Sequence, residues 1–147
     1  MEIRSTLASD LPHLKELFAQ LGYPTTDAIL QQRWPSFKST GADCFVAIVA
    51  GRVVGVLAQN YVLPLNTSGQ YAIVSAFVIE QTLRRTGAGT ALMQHAEQAA
   101  LARDCTHTEL SSSMRREPAH RFYEHYGFIE NRKRYVKQYR PRTFTVV

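Results

Sequence analysis

The sequence predicts an α/β protein: a single domain, residues 1–147, built on a mixed, partly antiparallel central sheet with helices on both faces. Three observations carry this expectation. Two runs rich in β-branched residues, Cys44 to Ala50 and Val53 to Leu63, flank Gly51-Arg52 in the pattern of an antiparallel hairpin. From Tyr71 onward strand-like and helix-like stretches alternate, as they do where helices cross between parallel strands. A length of 147 residues, without internal repeat, low-complexity segment or Pro/Gly/Ser linker, suits one core rather than two.

In chain order, Met1 to Thr6 alternates as a short strand, and Ser9 or Asp10 is placed to cap a helix carrying Leu11, Leu14, Leu17, Phe18 and Leu21 at helical spacing. Gly22 ends it. A second helix starts at Thr25, Thr26 or Asp27 and runs through Ile29, Leu30 and Trp34, with Pro35 leaving its end open. The hairpin follows, with its turn at Gly51-Arg52, and Pro64 to Gly69 reads as a loop. Tyr71 to Ile79 is a near-continuous apolar strand. A glycine-containing loop leads into a helix from Gly87 to Ala102 with Ala91, Leu92, His95, Ala96 and Ala99 on one side. A strand at Thr106 to Ser112, a helix at Pro118 to Tyr126 stopped by Gly127, and a last strand from Ile129 to Tyr139 complete the order.

A composition of 45% apolar and 20% charged residues is that of a folded globular chain, not a disordered one. No run approaches the ~20 apolar residues of a membrane span, and Met1-Glu2-Ile3-Arg4 lacks the apolar core of a signal peptide, so the expected compartment is cytoplasmic, with no membrane partner. Cys44 and Cys105 have no metal-type spacing and are expected to be ordinary buried thiols, with no metal bound. The net charge of +5 is concentrated at Arg84/Arg85 and in the stretch from Arg132 to Arg142. That second group reads either as the solvated face of the last strand or as a nucleic-acid surface, since Tyr135 and Tyr139 interleave with it; no recognition module supports the latter.

Between Ile79 and Leu92 a buried strand turns through Gly87 and Gly89 into a helix, whose first N–H groups lack intrahelical acceptors. The glycines allow close approach of a phosphate, the helix dipole favours negative charge, and Arg84 and Arg85 add positive charge. A Walker loop would need Gly-Lys-Ser/Thr where this chain has Gly89-Thr90-Ala91. A dinucleotide fold would need a third glycine where Leu92 stands, and the chain beyond is too short for the rest of that fold, although Glu109 lies at a matching distance.

The segment Val78 to Leu92 resembles the acetyl-CoA loop of the GNAT N-acetyltransferase family, whose pattern is Arg/Gln-x-x-Gly-x-Gly/Ala after a strand; Arg84, Gly87 and Gly89 match it. A second likeness lies downstream, where Ala119 to Phe128 resembles the family's Ala-x-x-Phe-Tyr-x-x-x-Gly-Phe helix and turn. Glu109 to Ser113 and on to Tyr123 is similar, more narrowly, to aminoalkylphosphonate and aminoglycoside acetyltransferases. The resemblance implies a GNAT-like fold, acetyl-CoA as co-substrate, and transfer of acetyl to a primary amine of a small molecule by direct attack on the thioester. It also implies that backbone groups of Phe77, Val78 and Ile79 hold the pantetheine arm, that Arg84, Arg85, Thr86, Gly87, Ala88, Gly89 and Thr90 cradle the pyrophosphate, and that Tyr123 protonates the departing thiolate.

The chain departs from the family pattern twice. Arg85 stands where glycine is frequent, which a φ below zero would accommodate. Ala76 stands where many relatives carry a glutamate that takes the amine proton, so the base is left among Glu80, His120, His125, Tyr61 through water, or water alone. Without the motif Tyr123 would read as a core aromatic beside Phe122 and Tyr126. The acceptor groove is expected between the N-terminal helices and the loop from Tyr61 to Asn66, with Trp34 and Tyr61 as walls or as core. Alternative functions are acetylation of a peptide or protein amine, or CoA binding without turnover. The final strand and the tail Thr143 to Val147 would suit strand exchange in a homodimer.

Overall fold

A computed structural model describes residues 1–111, 117–131 and 134–140. These fall into two compact units, one containing Met1–Leu110 and the other within Ser111–Thr143. In the first, strands β1 (Glu2–Ser5), β2 (Asp43–Val49), β3 (Arg52–Val62), β4 (Gln70–Ile79) and β5 (Cys105–Leu110) form one sheet in the order β1-β2-β3-β4-β5. All neighbours are antiparallel except β4 and β5, which are parallel and joined through helix α3 (Ala88–Ala102). Helices α1 (Leu11–Leu21) and α2 (Asp27–Ser39) lie between β1 and β2 in the chain.

Alternation along the strands assigns the two faces. Cys44, Val46, Val56, Ala58 and Val78 share a core cluster with Leu11, Leu14, Leu17 and Leu30, so α1 and α2 cover one face. On the other, the Phe45 ring meets His95 edge-on at 4.6 Å and Gln59 Nε2 donates to the Ala96 carbonyl at 2.9 Å, so α3 covers that side. Helices therefore occupy both faces of a mixed, partly antiparallel sheet, as expected.

Several local expectations are corrected. The buried face of α3 is Ala88, Leu92, Met93, Ala96 and Ala100, one helical step round from the stripe through Ala91, His95 and Ala99. The hairpin turn is Ala50-Gly51, with φ of 50° and 75°, between the paired Val49 and Arg52; two left-handed residues match the twist of the strands. Pro35 sits inside α2 without ending it, because Leu30, Trp34 and Phe37 anchor the helix on both sides of the missing N–H. Asp10 precedes α1 but does not cap it; its carboxylate accepts from Arg4 and from Leu7 N–H instead. Cys44 is buried as expected, whereas Cys105 is partly exposed at the start of an edge strand.

The second unit holds helix α4 (Glu117–Tyr126). Gly127, at φ 120°, lets Phe128 N–H bond back to the Tyr123 carbonyl at 2.9 Å, a left-handed stop. The expected strand from Ile129 to Tyr139 is absent among the described residues: Ile129, Tyr135 and Tyr139 are each more than 80% exposed, so the alternating pattern has no surface to bury against. Residues 132–133 of the basic run and 143–147 of the expected dimer tail lie outside the described residues.

Arg4 on β1 grips Asp10 through two bonds, of 2.7 and 3.0 Å, while Leu7 N–H donates to the same carboxylate at 2.7 Å. The Arg4 guanidinium holds the Asp10 carboxyl below its ordinary range. A lowered folded-state pKa contributes stability that is present above the unfolded value and lost as pH falls through the folded one. Asp10→Asn should cost about 1–3 kcal/mol at pH 7, the penalty of an impaired charged hydrogen-bond set. In urea unfolding the gap between parent and variant should close as pH drops below the carboxylate range.

Candidate functional site

The glycine loop is tied to the sheet at several points. Glu80 N–H donates to the Val54 carbonyl at 2.7 Å, Leu83 N–H to Glu80 O at 2.9 Å, and Gln81 N–H to Gln20 Oε1 at 3.2 Å. Arg84 Nε donates to Ile79 O at 3.3 Å and the Thr86 hydroxyl to Leu83 O at 2.6 Å. These bonds tie the loop down as the chain turns from the end of β4 to the start of α3.

The start of α3 is different. Its first helical bond runs from Ala91 N–H to Gly87 O at 3.0 Å, and no side chain caps it. The N–H groups of Ala88, Gly89 and Thr90 are therefore presented at the positive end of the helix dipole. Gly87 is left-handed at φ 92°, which disfavours any other residue there, and Ala88 is buried, which seats the turn against the core. Arg84 and Arg85 are exposed beside it. This arrangement fits a phosphorylated ligand.

Arg85 overturns one expectation, because its φ is 69° rather than negative. A left-handed non-glycine residue costs roughly 1–2 kcal/mol. The loop forms nonetheless, held by the bonds on either side.

The β4–β5 register ends at Val74↔Leu110, whereas the β3–β4 register continues to Gly55↔Ile79. Among the described residues the parallel pairing goes no further, while β4 runs on toward the loop. Val78 and Ile79 bury their side chains, so backbone is what this part of β4 has to offer a ligand. Ala76 packs against the core cluster beneath α1 and α2 and carries no proton-accepting group.

The expected groove walls do not meet. Trp34 packs on the α1/α2 side, stacked on Phe37 at 5.7 Å. Tyr61 lies on the α3 side with Gln59: its hydroxyl donates to Asp43, accepts from Gln59 Nε2, and its ring lies 4.2 Å beneath the Arg103 guanidinium. Burial, reinforced by Asp43, pushes the Tyr61 phenol up to about 12, so it is a protonated structural donor and not a base. The Glu80 carboxylate receives Arg52 and the Thr82 hydroxyl, each at 3.0 Å. In the second unit, Tyr123 is partly buried with its ring near Phe122 and Phe128, His120 is partly buried and His125 is exposed.

Sequence reasoning passed over one polar cluster. His107 Nε2 lies 2.8 Å from Glu109 Oε2, its Nδ1 lies 3.0 Å from the Thr106 hydroxyl, and its ring stacks on Tyr71 at 4.7 Å. The signal was the His-x-Glu spacing inside a strand, which puts both side chains on one face. Among the described residues no group of three or more His, Cys, Asp or Glu is placed to hold a metal ion, and no helix is long and apolar enough to cross a membrane.

Comparison with known proteins agrees with the fold. A solved structure from Agrobacterium tumefaciens superposes with a TM-score of 0.85 at 24% identity, covering 94% of this chain and 99% of that one. An aminoglycoside antibiotic 6'-N-acetyltransferase from Acinetobacter haemolyticus gives 0.81 at 19% identity over 96% and 99% of the two chains. In sequence, the chain is 28% identical over 92 residues to the aminoalkylphosphonate N-acetyltransferase of Salmonella typhimurium, a match spanning 63% of this chain and 60% of that relative. Residues 8–128 match the family described as acetyltransferase (GNAT), most of the length of the chain, and the protein belongs to that family.

Proposed function

We propose that the protein is an acetyl-CoA-dependent N-acetyltransferase acting on a primary amine of a small molecule. The observation that carries this reading is the uncapped start of α3, with its three amides and left-handed Gly87, at the end of a β4 that runs on past its last described pair with β5. Bound acetyl-CoA supplies the acetyl group as an activated thioester. Ala88, Gly89 and Thr90 N–H groups, with Arg84 and Arg85, hold the diphosphate, and the backbone of Phe77 to Ile79 orients the arm that follows. Tyr123, on the strength of its motif, donates the proton that the departing thiolate needs. The aminoalkylphosphonate relative supports a small-molecule amine as acceptor. Ala76 favours a second reading, CoA binding without turnover, and thiol release from acetyl-CoA with a panel of amines separates the two.

Acetyl-CoA should raise the thermal midpoint by mass action, about 2.7 kcal/mol at a hundredfold excess over Kd, with ATP and NADH much less effective. Arg85→Gly should weaken CoA binding severalfold in calorimetry while leaving the ligand-free protein as stable or slightly more so, since relief of the left-handed backbone offsets the entropy of glycine. An unchanged CoA affinity removes Arg85 from the site.

Tyr123→Phe keeps the ring and its packing, so a structural tyrosine would show little kinetic effect. A proton donor acts only as charge develops on sulfur, so the loss should appear in kcat, about a hundredfold, and not in the CoA dissociation constant. A kcat within about threefold of the parent returns Tyr123 to a packing role.

A further inference from the structure

We propose that Glu109, positioned by His107, accepts the proton of the incoming ammonium in place of the glutamate that Ala76 replaces. The inference rests on the acetyltransferase reading above. Its basis is position. Gln59 reaches α3, its partner Val74 therefore faces α3, and so does Leu110 across from Val74. Ile73 and Glu109, one pair earlier, consequently face the other way, as do Tyr71 and His107, whose rings stack. That second face is the one carrying Ala76, because the extra residue Ser75 reverses the alternation of β4 between Val74 and Ala76. Glu109 thus stands at the last described pair but one between β4 and β5, on the same face as Ala76. It is also the one carboxylate in either strand.

The chemistry of the cluster suits the task. A carboxylate only accepts, so the 2.8 Å contact has His107 Nε2–H donating to Oε2, while the Thr106 hydroxyl at 3.0 Å from Nδ1 fixes the ring from its other side. Oε1 is left to take a proton, directly or through one water. Glu109 and His107 side chains are 45% and 49% exposed, so substrate and solvent can reach them. The neighbouring titratable groups on these two strands are His107 and the Tyr71 phenol. In the balanced step, one ammonium proton passes to Oε1 and the freed amine forms the C–N bond as the C–S bond breaks. A second amine proton ends on the thiolate, and Glu109 returns its own to water.

An exposed pair of this kind contributes little to stability, so Glu109→Gln should leave the thermal midpoint and the acetyl-CoA dissociation constant unchanged. Its kcat/KM for an accepted amine should fall about a hundredfold at pH 7. The deficit should shrink to a few-fold as pH approaches the pKa of the amine, where solvent performs the deprotonation. His107→Leu should lose about tenfold in kcat, and His107→Gln, whose amide still donates to Oε2, should recover most of it. A Glu109→Gln enzyme within threefold of the parent at pH 7 overturns the proposal, as does a deficit constant with pH, which would mean ammonium anchoring alone. If the parent releases no thiol with any amine, the acetyltransferase reading itself fails and the base assignment with it.

Discussion

Side chains on a strand must alternate between faces, and β4 escapes that constraint through one extra residue, Ser75, on which most of the arrangement depends. Pairing runs Ala58↔Ala76 and then Gln59↔Val74, so Ala72 and Val74 lie toward α3 while Ala76 and Val78 lie toward α1 and α2. The strand therefore feeds both cores. The same stretch is where the described pairing with β5 ends, while β4 continues to Ile79 and leads into the glycine turn before α3.

Packing seats that turn alongside its own hydrogen bonds. Gly55 on β3 sits close beneath two side chains: a Cβ there would meet Ile79 Cδ1 at 2.6 Å and Leu92 Cδ1 at 3.0 Å, so those side-chain ends would have to move. Close approach of β3 to the first turns of α3 brings Leu92 and Ala88 into full burial. The first three amides of the helix are thereby fixed relative to the end of β4. With the backbone held on either side, a left-handed Arg85 is tolerated in the loop.

At the other end of α3 a polar clamp performs the same service. Gln59, buried among apolar residues, donates to the Ala96 carbonyl and to Tyr61, Tyr61 donates to Asp43, and Arg103 covers the tyrosine ring while donating to Gly41 O. Gln70 Nε2 adds a bond to Arg103 O. Tyr61 and Asp43 thus help to fasten the helix to the sheet.

What the sequence determined by itself was everything that depends on local chemistry: the helix stops at Gly22 and Gly127, the hairpin, the glycine-flanked start of α3, and the two motifs that mark the family. These signals sit within a few residues of one another, so spacing suffices to read them. Tertiary structure decided the rest. The apolar run of β4 conceals its bulge, because an all-apolar strand looks the same in either alternation. Tyr61 and Trp34 read as walls of one groove or as core, and the structure places them on opposite sides of the sheet, Trp34 with α1 and α2 and Tyr61 with α3. The left-handed φ of Arg85 and the lack of a strand at 134–139 depend on what surrounding backbone offers, which propensity does not encode. The pairing of Glu109 with His107 and Tyr71 on one face could not be read either, because it comes from the β4–β5 register, a relation between distant segments.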